Sequence, residues 1–459
     1  MSEMKTVVTL FEYQPYRFEL SERDHFHNET FYITQKTMGV LEDLNRSKPF
    51  LECDLRTIRP LNYVGVVRVG DLTIQIFPKL FKEERYQDHL KTIAANLLKM
   101  LSYSGDIPFR EMDIAGLDLH KHDLFEVFIH LFARNLLSTM KSSQKREYIK
   151  KSEEIRVIKG KIDFKKYVNP CRFHIIPCEY YEFSIDNIMN RTLKYTCHLM
   201  ARTVEDFDTA RTLRSIINIL DQVTLTRITP AEANTITFDR LNRVFEPYIE
   251  MCKIFLSQST LTLQSSEIES FSLLIPMEKL FEGFITQILK EDPHYFFGRP
   301  VVVRSQMSVG RMALDENGKE LFNLIPDILI GSPVIEAIID TKYKALDSAE
   351  TKLGISQADL YQMYVYATKT NTDRCMLLYP EVMVNQKKDL TISVPSSDDG
   401  NRDVLLMIRS IRLSYNMINK EEWEEFRREL RTILRPLLRE RQGCDDVKTA
   451  MVLAGGQGI

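Results

Sequence analysis

The strongest constraint on how this chain folds is an apolar run that ends in charge, Val334-Ile335-Glu336-Ala337-Ile338-Ile339-Asp340-Thr341-Lys342. Its β-branched residues predict a mostly buried strand over 334–344. Side chains two apart on a strand share a face, so Asp340 and Lys342 project together. A second apolar run, Ile328-Leu329-Ile330, follows Pro326-Asp327. Proline does not sit inside a central strand, so Asp327 opens that run. If the two strands pair, two carboxylates and an amine converge. Buried charges of this kind are costly without a purpose. The arrangement therefore predicts a divalent-metal site with a cation beside it.

The acidic-x-Lys triplet means little by itself. Glu3-Met4-Lys5, Asp163-Phe164-Lys165, Glu350-Thr351-Lys352 and Asp446-Val447-Lys448 share the form, and surface ion pairs account for them. Only Asp340-Thr341-Lys342 closes a buried-type strand and is preceded by a Pro-Asp. The segment after it, Ser356 to Ala367, predicts a helix at about 356–369, with Ser356 and Asp359 spaced as a capping box. Gln362 and Tyr366 are four apart and share one face of that helix. An aromatic stripe packed on a sheet explains them as readily as a site does. Upstream, Glu278 and Glu282 are also four apart, and Glu282 interrupts the apolar set Leu280, Phe281, Phe284 and Ile285. Glu282 is either a solvated edge or a third acidic group aimed at the metal.

With 459 residues the chain has length for about two to four domains. A net charge of −3 does not mark a nucleic-acid binder, so such a role must rest on local patches. No apolar stretch approaches the ~20 residues of a membrane span. The N-terminus lacks the apolar core of a signal peptide. Seven scattered cysteines without a C-x-x-C pair argue for reduced thiols, a cytoplasmic location and no structural zinc.

Three regions separate along the sequence. Residues 1–85 alternate apolar and polar in short runs, a β-rich domain of barrel or sandwich type. Within it, Tyr63 to Lys79 reads as a hairpin turning at Gly70-Asp71. From 86 to 260 the period shifts toward 3.6, as in Leu90-Ile93-Leu97-Leu98-Leu101 and Leu124-Val127-Phe128-Leu131-Leu136. A basic insert, 141–166, interrupts this helical region. Residues 261–459 read as an α/β unit. It opens with a helix after Pro276, continues with strands near 300–306, 326–331, 334–344, 375–379 and 403–413, and ends in a charged helix near 420–435. The whole is a multidomain α+β protein.

Asp327, Asp340 and Lys342 together resemble the PD-(D/E)XK nuclease superfamily, and Gln362-x-x-x-Tyr366 resembles the Q-x-x-x-Y element of part of it. Longer stretches are similar to the McrC family, the nuclease subunit of McrBC-type and LlaJI-type restriction systems. They are Tyr63-Val64-Gly65-Val66 through Ile76-Phe77-Pro78-Lys79, Lys159-Gly160-Lys161-Ile162-Asp163-Phe164, and Tyr181-Glu182-Phe183 with Asp186 to Arg191. Met277 to Glu282, Asp340 to Lys344, and Asp359 to Tyr366 followed by Leu378-Tyr379-Pro380 complete the set. The first 50 residues and the tail after about 440 carry none of it. The resemblance implies a restriction-endonuclease-like core in 261–459, with Mg²⁺ held by Asp327, Asp340, the Thr341 carbonyl and Glu282. Lys342 would orient the attacking water, and Gln362 and Tyr366 would position the ligands or touch the scissile backbone. Double-stranded DNA is the implied substrate. One site cuts one strand, so a double-strand break implies a second copy of the chain.

Restriction of this type consumes nucleotide, yet the chain has no P-loop. Gly65-Val66-Val67-Arg68-Val69-Gly70 has glycines at the right spacing, but Asp71-Leu72 follows where Lys and Ser/Thr are needed. The resemblance therefore implies an McrB-like AAA+ GTPase ring as partner, carrying GTP and the DNA reader, docked through the N-terminal half and stimulated by it. Arg68 and Lys79 are candidates for reaching that partner, against the plainer reading of solvated strand edges. The excess of Lys141, Lys145, Arg146, Lys150, Lys151, Arg156, Lys159 and Lys161 suits phosphate contact and a charged surface loop equally. His120 and His122 read as a solvated loop. Two other functions stay open: a catalytically silent activator of the AAA+ partner, and a stand-alone DNA repair nuclease.

Overall fold

The structure is a computed structural model. It describes residues 6–78, 86–104, 123–143, 146–167, 174–240, 242–260, 270–314, 316, 320–344, 346, 354–381, 389–395 and 403–438. Lys79, His120, His122 and Lys145 lie outside the described residues. The chain packs as two compact units, Met1–Phe284 with Ser414–Trp423, and Ile285–Leu413 with Glu424–Ile459. Sequence character changes near 85 and 260, but packing divides the chain inside helices instead.

In the first unit the chain runs β1 (Thr6–Phe11), β2 (Tyr16–Leu20), β3 (His25–His27), β4 (Thr30–Ile33), α1 (Gln35–Ser47), β5 (Leu51–Cys53), β6 (Thr57–Pro60), β7 (Tyr63–Val69) and β8 (Leu72–Phe77). The expected hairpin at Gly70 is β7–β8, paired Val69 to Leu72. Its sheet has the order β1-β8-β7-β12, where β12 (Ser270–Pro276) arrives from almost two hundred residues later. Gly65 allows that pairing. Its φ is +132°, and a Cβ there would lie 1.9 Å from the Leu273 carbonyl oxygen. A second, five-stranded sheet has the order β3-β4-β2-β6-β5. Val8, Leu10, Val67 and Ile74 from the first sheet, Phe31, Ile33 and Ile58 from the second, and Val40, Leu41 and Leu44 from α1 form one buried core. Two sheets sharing a core gain far more from burial than either would alone.

The rest of this unit is mainly helical: α2 (Tyr86–Ser104), α3 (Leu124–Ser142), α4 (Ile188–Thr203), α5 (Phe207–Ile219), α6 (Pro230–Asn234) and α7 (Glu246–Thr260). The apolar residues Ile93, Leu97, Leu98 and Leu101, and Leu124, Val127, Phe128, Leu131 and Leu136, are all buried, as their 3.6 period requires. Residues 414–423 close the unit. The Asn96 side chain donates to the Tyr415 carbonyl (2.6 Å) and accepts from the Met417 N–H (2.9 Å). The buried Lys99 amine donates to the Met417 carbonyl (2.6 Å) and lies 3.7 Å from the centre of the Trp423 ring.

The basic insert is a sheet rather than a loop. β9 (Glu147–Ile155) pairs antiparallel with β11 (Ile176–Ser184) along its whole length, and β10 (Lys161–Ile162) adds to the other edge of β11. Two of its lysines meet cross-strand acids: Lys150 reaches Glu179 at 2.8 Å, and Lys151 is bonded to Glu182. Tyr148, Phe164, Tyr181 and Phe183 stay exposed.

α8 (Met277–Glu291) leads out of β12 and carries the chain across the boundary between the units. The second unit then holds α9 (Pro293–Phe297), β13 (Val303–Ser305), the hairpin β14 (Gly310–Leu314) and β15 (Glu320–Leu324), β16 (Ile328–Ile330), β17 (Ala337–Thr341), α10 (Gln357–Thr370), β18 (Arg374–Glu381), β19 (Leu390–Val394), β20 (Val404–Arg412) and part of α11 (Lys420–Leu434). Its main sheet has the order β13-β16-β17-β18-β20-β19. β16 and β17 are antiparallel, while β17, β18 and β20 run parallel. β17 is shorter than the apolar run suggests, because Gly331-Ser332-Pro333 turns the chain and Glu336 bonds to Arg299 at the strand's entrance. β14, β15 and β19 have no counterpart in the periodicity of the sequence. On the face toward α10, Met363, Tyr366 and Ala367 meet Ile338, Cys375, Leu377 and Leu406 in one buried cluster.

Candidate metal centre

Strand register builds the site. Ile328 pairs with Ile339, which sets Asp327 at the open end of β16 beside Asp340 and Thr341 at the end of β17. The Thr341 N–H and hydroxyl both donate to Asp327 Oδ2, at 2.8 and 2.9 Å. Asp340 pairs with Leu377 of β18, so its side chain points to the face that α10 covers, and it is 1% exposed. The Lys342 amine lies 2.7 Å from Asp340 Oδ2, while its own N–H donates to the Leu378 carbonyl (2.9 Å).

α10 supplies the other side of the site. Ser356 caps it by accepting the Asp359 N–H (3.1 Å), and Asn371 ends it in the left-handed conformation at φ +54°. Lys342 Nζ donates to Gln362 Oε1 (3.2 Å), and Gln362 Nε2 donates to the Tyr366 hydroxyl (2.8 Å). The Tyr366 hydroxyl then donates to the Ile325 carbonyl (3.2 Å), one residue before Pro326-Asp327. A continuous line of bonds thus runs from Lys342 back to the segment carrying Asp327. This positioning chain is what four-residue spacing on a helix face makes available.

The electrostatics match the geometry. Burial pushes the Asp340 carboxyl up, to about 6; the Asp327 and Asp359 charges add to that, against the pull of Lys342. Asp327 is likewise raised by burial, against its two bonds from Thr341. Burial works against the Lys342 ammonium, but Asp340, Asp359 and Asp327 outweigh it and leave its pKa above the ordinary lysine value. The Asp340–Lys342 pair is close but poorly directed: Asp340 Oδ2 is buried and receives no hydrogen bond of good geometry. Such an oxygen is costly to keep unless something else binds it. Two carboxylates, one with a buried oxygen held by an ion pair but by no well-directed hydrogen bond, fit a hard divalent cation. Among the described residues no group of three or more His, Cys, Asp or Glu gathers. A cation here would therefore complete its shell with a backbone carbonyl, water and substrate oxygens, the habit of Mg²⁺.

The second unit brings together Asp327, Asp340, Thr341, Lys342, Gln362 and Tyr366. Glu282 falls in the first unit, half-buried on α8. Asp359 and its partner Lys344 join them. Asp359, taken only as a cap partner, approaches Lys342 at 3.9 Å and binds Lys344 at 2.5 Å. Its position three before Gln362, on the same helix face, was the available signal. Arg68 proves committed within the first unit, donating to the Thr203 carbonyl (2.6 Å) and lying over the Phe125 ring, so it is not a free contact residue.

A solved half-complex from a tetradecameric assembly of Thermococcus gammatolerans McrB AAA+ hexamers with bound McrC contains a chain of similar fold. The TM-score is 0.64 at 20% identity, covering 93% of this chain and 100% of that one. A cryo-EM structure of the Thermococcus gammatolerans McrBC complex matches at TM-score 0.48 and 23% identity, over 62% of this chain and 87% of that one. No curated protein matches the chain. The family profile described as McrBC 5-methylcytosine restriction system component matches residues 58–380. That span is more than half of the sequence and includes every residue of the candidate centre, and the chain therefore belongs to the McrBC 5-methylcytosine restriction system component family.

Proposed function

We propose that this chain is the Mg²⁺-dependent DNA endonuclease subunit of an McrBC-type restriction complex, with a PD-(D/E)XK core in its second unit. The observation that carries the reading is the convergence of Asp327, Asp340 and Lys342 at the ends of paired strands, with a buried Asp340 oxygen that only the Lys342 ion pair holds. Asp327 and Asp340 hold the cation, with the Thr341 carbonyl as a further oxygen donor. The cation, when bound, supplies Lewis-acid stabilisation of the phosphoryl oxygens. Lys342 orients the attacking water and offsets the charge that develops on phosphate. Gln362 fixes the direction of the Lys342 amine, and Tyr366 ties Gln362 to the backbone leading into Asp327.

The similar Thermococcus gammatolerans chain is found with McrB AAA+ hexamers. On that likeness, and because this sequence has no P-loop, the motor is a separate AAA+ GTPase ring, and the first unit docks on it and stimulates hydrolysis. The exposed Tyr148, Tyr181 and Phe183 of the β9–β11 sheet are the apolar surface this docking would use. A charged trio retained in a buried place speaks against a silent activator.

The test is cleavage of methylated and unmethylated DNA by both chains with GTP and Mg²⁺, comparing wild type with Asp340→Ala. The variant is expected to lose cutting and to keep GTPase stimulation. Cutting that survives the substitution would overturn the site.

A further inference from the structure

The Lys342 amine sits among three acceptors: Asp340 Oδ2 at 2.7 Å, Gln362 Oε1 at 3.2 Å and Asp359 Oδ1 at 3.9 Å. The nearest of these is the oxygen a divalent cation needs, so the amine stands where the cation's charge would act. An ammonium and a divalent cation on one carboxylate repel each other in a half-buried site, so a bound cation weakens the Lys342–Asp340 pair. A displaced ammonium needs another anion within reach of its own side chain, or it is left buried and unpaired. Gln362 is neutral and can guide the amine without balancing its charge. Among the described residues, Asp359 is the next carboxylate, 3.9 Å from the amine. It is fixed from behind by Lys344 at 2.5 Å and by the Ser356 cap on its own N–H.

Resting on the reading of this centre as a divalent-cation site, we propose that Asp359 is a positioning residue that takes the Lys342 ammonium when Asp340 turns to the cation. The amine pivots on Gln362 from Asp340 to Asp359. No bond to carbon or phosphorus changes and no proton moves; one ion pair is exchanged for another. Asp340 is thereby released to the metal, and the Lys342 charge stays in the site for the phosphate. Asp359 thus sets metal affinity without touching the metal.

The experiment is Mn²⁺ binding to the purified full-length chain, without DNA or partner, read by the loss of the free-Mn²⁺ electron paramagnetic signal. Wild type is expected to bind one Mn²⁺ that Asp340→Asn abolishes. Asp359→Asn, close in shape, is expected to bind about tenfold more weakly, because the ammonium then stays on Asp340 and competes. Adding Lys342→Met to Asp359→Asn removes the competitor and is expected to restore the affinity, which also shows that the fold is intact. An Asp359→Asn affinity within about twofold of wild type overturns the proposal, and so does a weakening that persists in the double variant. Wild type that binds no Asp340-dependent Mn²⁺ overturns the metal reading and this proposal with it.

Discussion

Thr341 gives both of its donors to one oxygen of Asp327: its N–H at 2.8 Å and its hydroxyl at 2.9 Å end on Oδ2. The second strand of the site therefore holds the carboxylate of the first. Asp327 is left with the direction of its other oxygen settled before any ligand arrives, the kind of preorganisation a binding site needs. Thr341→Val keeps the shape and removes one of the two bonds. It is expected to cost about 1 kcal/mol in urea unfolding and to weaken Mn²⁺ binding while leaving helix content by circular dichroism unchanged.

Asp340 makes stability depend on pH in the direction opposite to most carboxylates. Its folded pKa of about 6 lies above the ordinary value of 3.8, so its favourable contribution is present below that ordinary value and is lost as pH rises through 6. Metal-free wild type is thus expected to lose stability relative to Asp340→Asn between pH 4 and 7, by roughly 2–3 kcal/mol. Thermal melting of both proteins across that range, with and without Mg²⁺, reads this out. Added Mg²⁺ should stabilise wild type alone, and equal pH profiles for the two proteins would refute the assignment.

Tyr366→Phe deletes the hydroxyl that joins Gln362 to the Ile325 carbonyl. It is expected to lower cleavage while leaving Mn²⁺ affinity near that of wild type, because Asp327 and Asp340, the carboxylates proposed to hold the metal, are not its direct partners. Single-turnover cleavage beside a binding titration separates the two effects. Equal losses in both would assign Tyr366 to the metal shell instead.

Gly65→Ala tests the first unit alone. The new Cβ would lie 1.9 Å from the Leu273 carbonyl oxygen at a φ of +132°, so β7 and β12 must part. A loss of several kcal/mol is expected, from strain together with broken ladder bonds. Hydrogen exchange should show the damage along β12 and β7 first.

The sequence made the centre legible because strand periodicity is short-ranged. Asp340 and Lys342 are two apart, and a single residue of pairing places Asp327 beside them. Gln362 and Tyr366 were legible for the same reason on a helix. Asp359 was not, because spacing alone does not say whether a residue at a helix N-terminus only caps it or also faces a lysine on a neighbouring strand. Arg68 was not legible, because a basic residue on a strand looks the same in sequence whether it meets solvent or the Thr203 carbonyl. The 141–166 segment reads as loop-like charge because the acids that pair its lysines, Glu179 and Glu182, are about thirty residues away in the chain. β12 is the extreme case: nothing near residue 270 announces a partner at residue 66.

The returning segment 414–423 has a consequence for how the protein is made. Asn96 and Lys99 receive their partners at residues 415 and 417. By then the ribosome has already finished every described strand of the second unit. The first unit, though begun earliest, is therefore sealed last, after its neighbour's sheet is available to fold. A chain that ends before residue 415 lacks the Tyr415 and Met417 carbonyls to which the Asn96 amide and the Lys99 amine donate. Completion of the first unit's packing thus waits on a segment made after the described strands of the second unit.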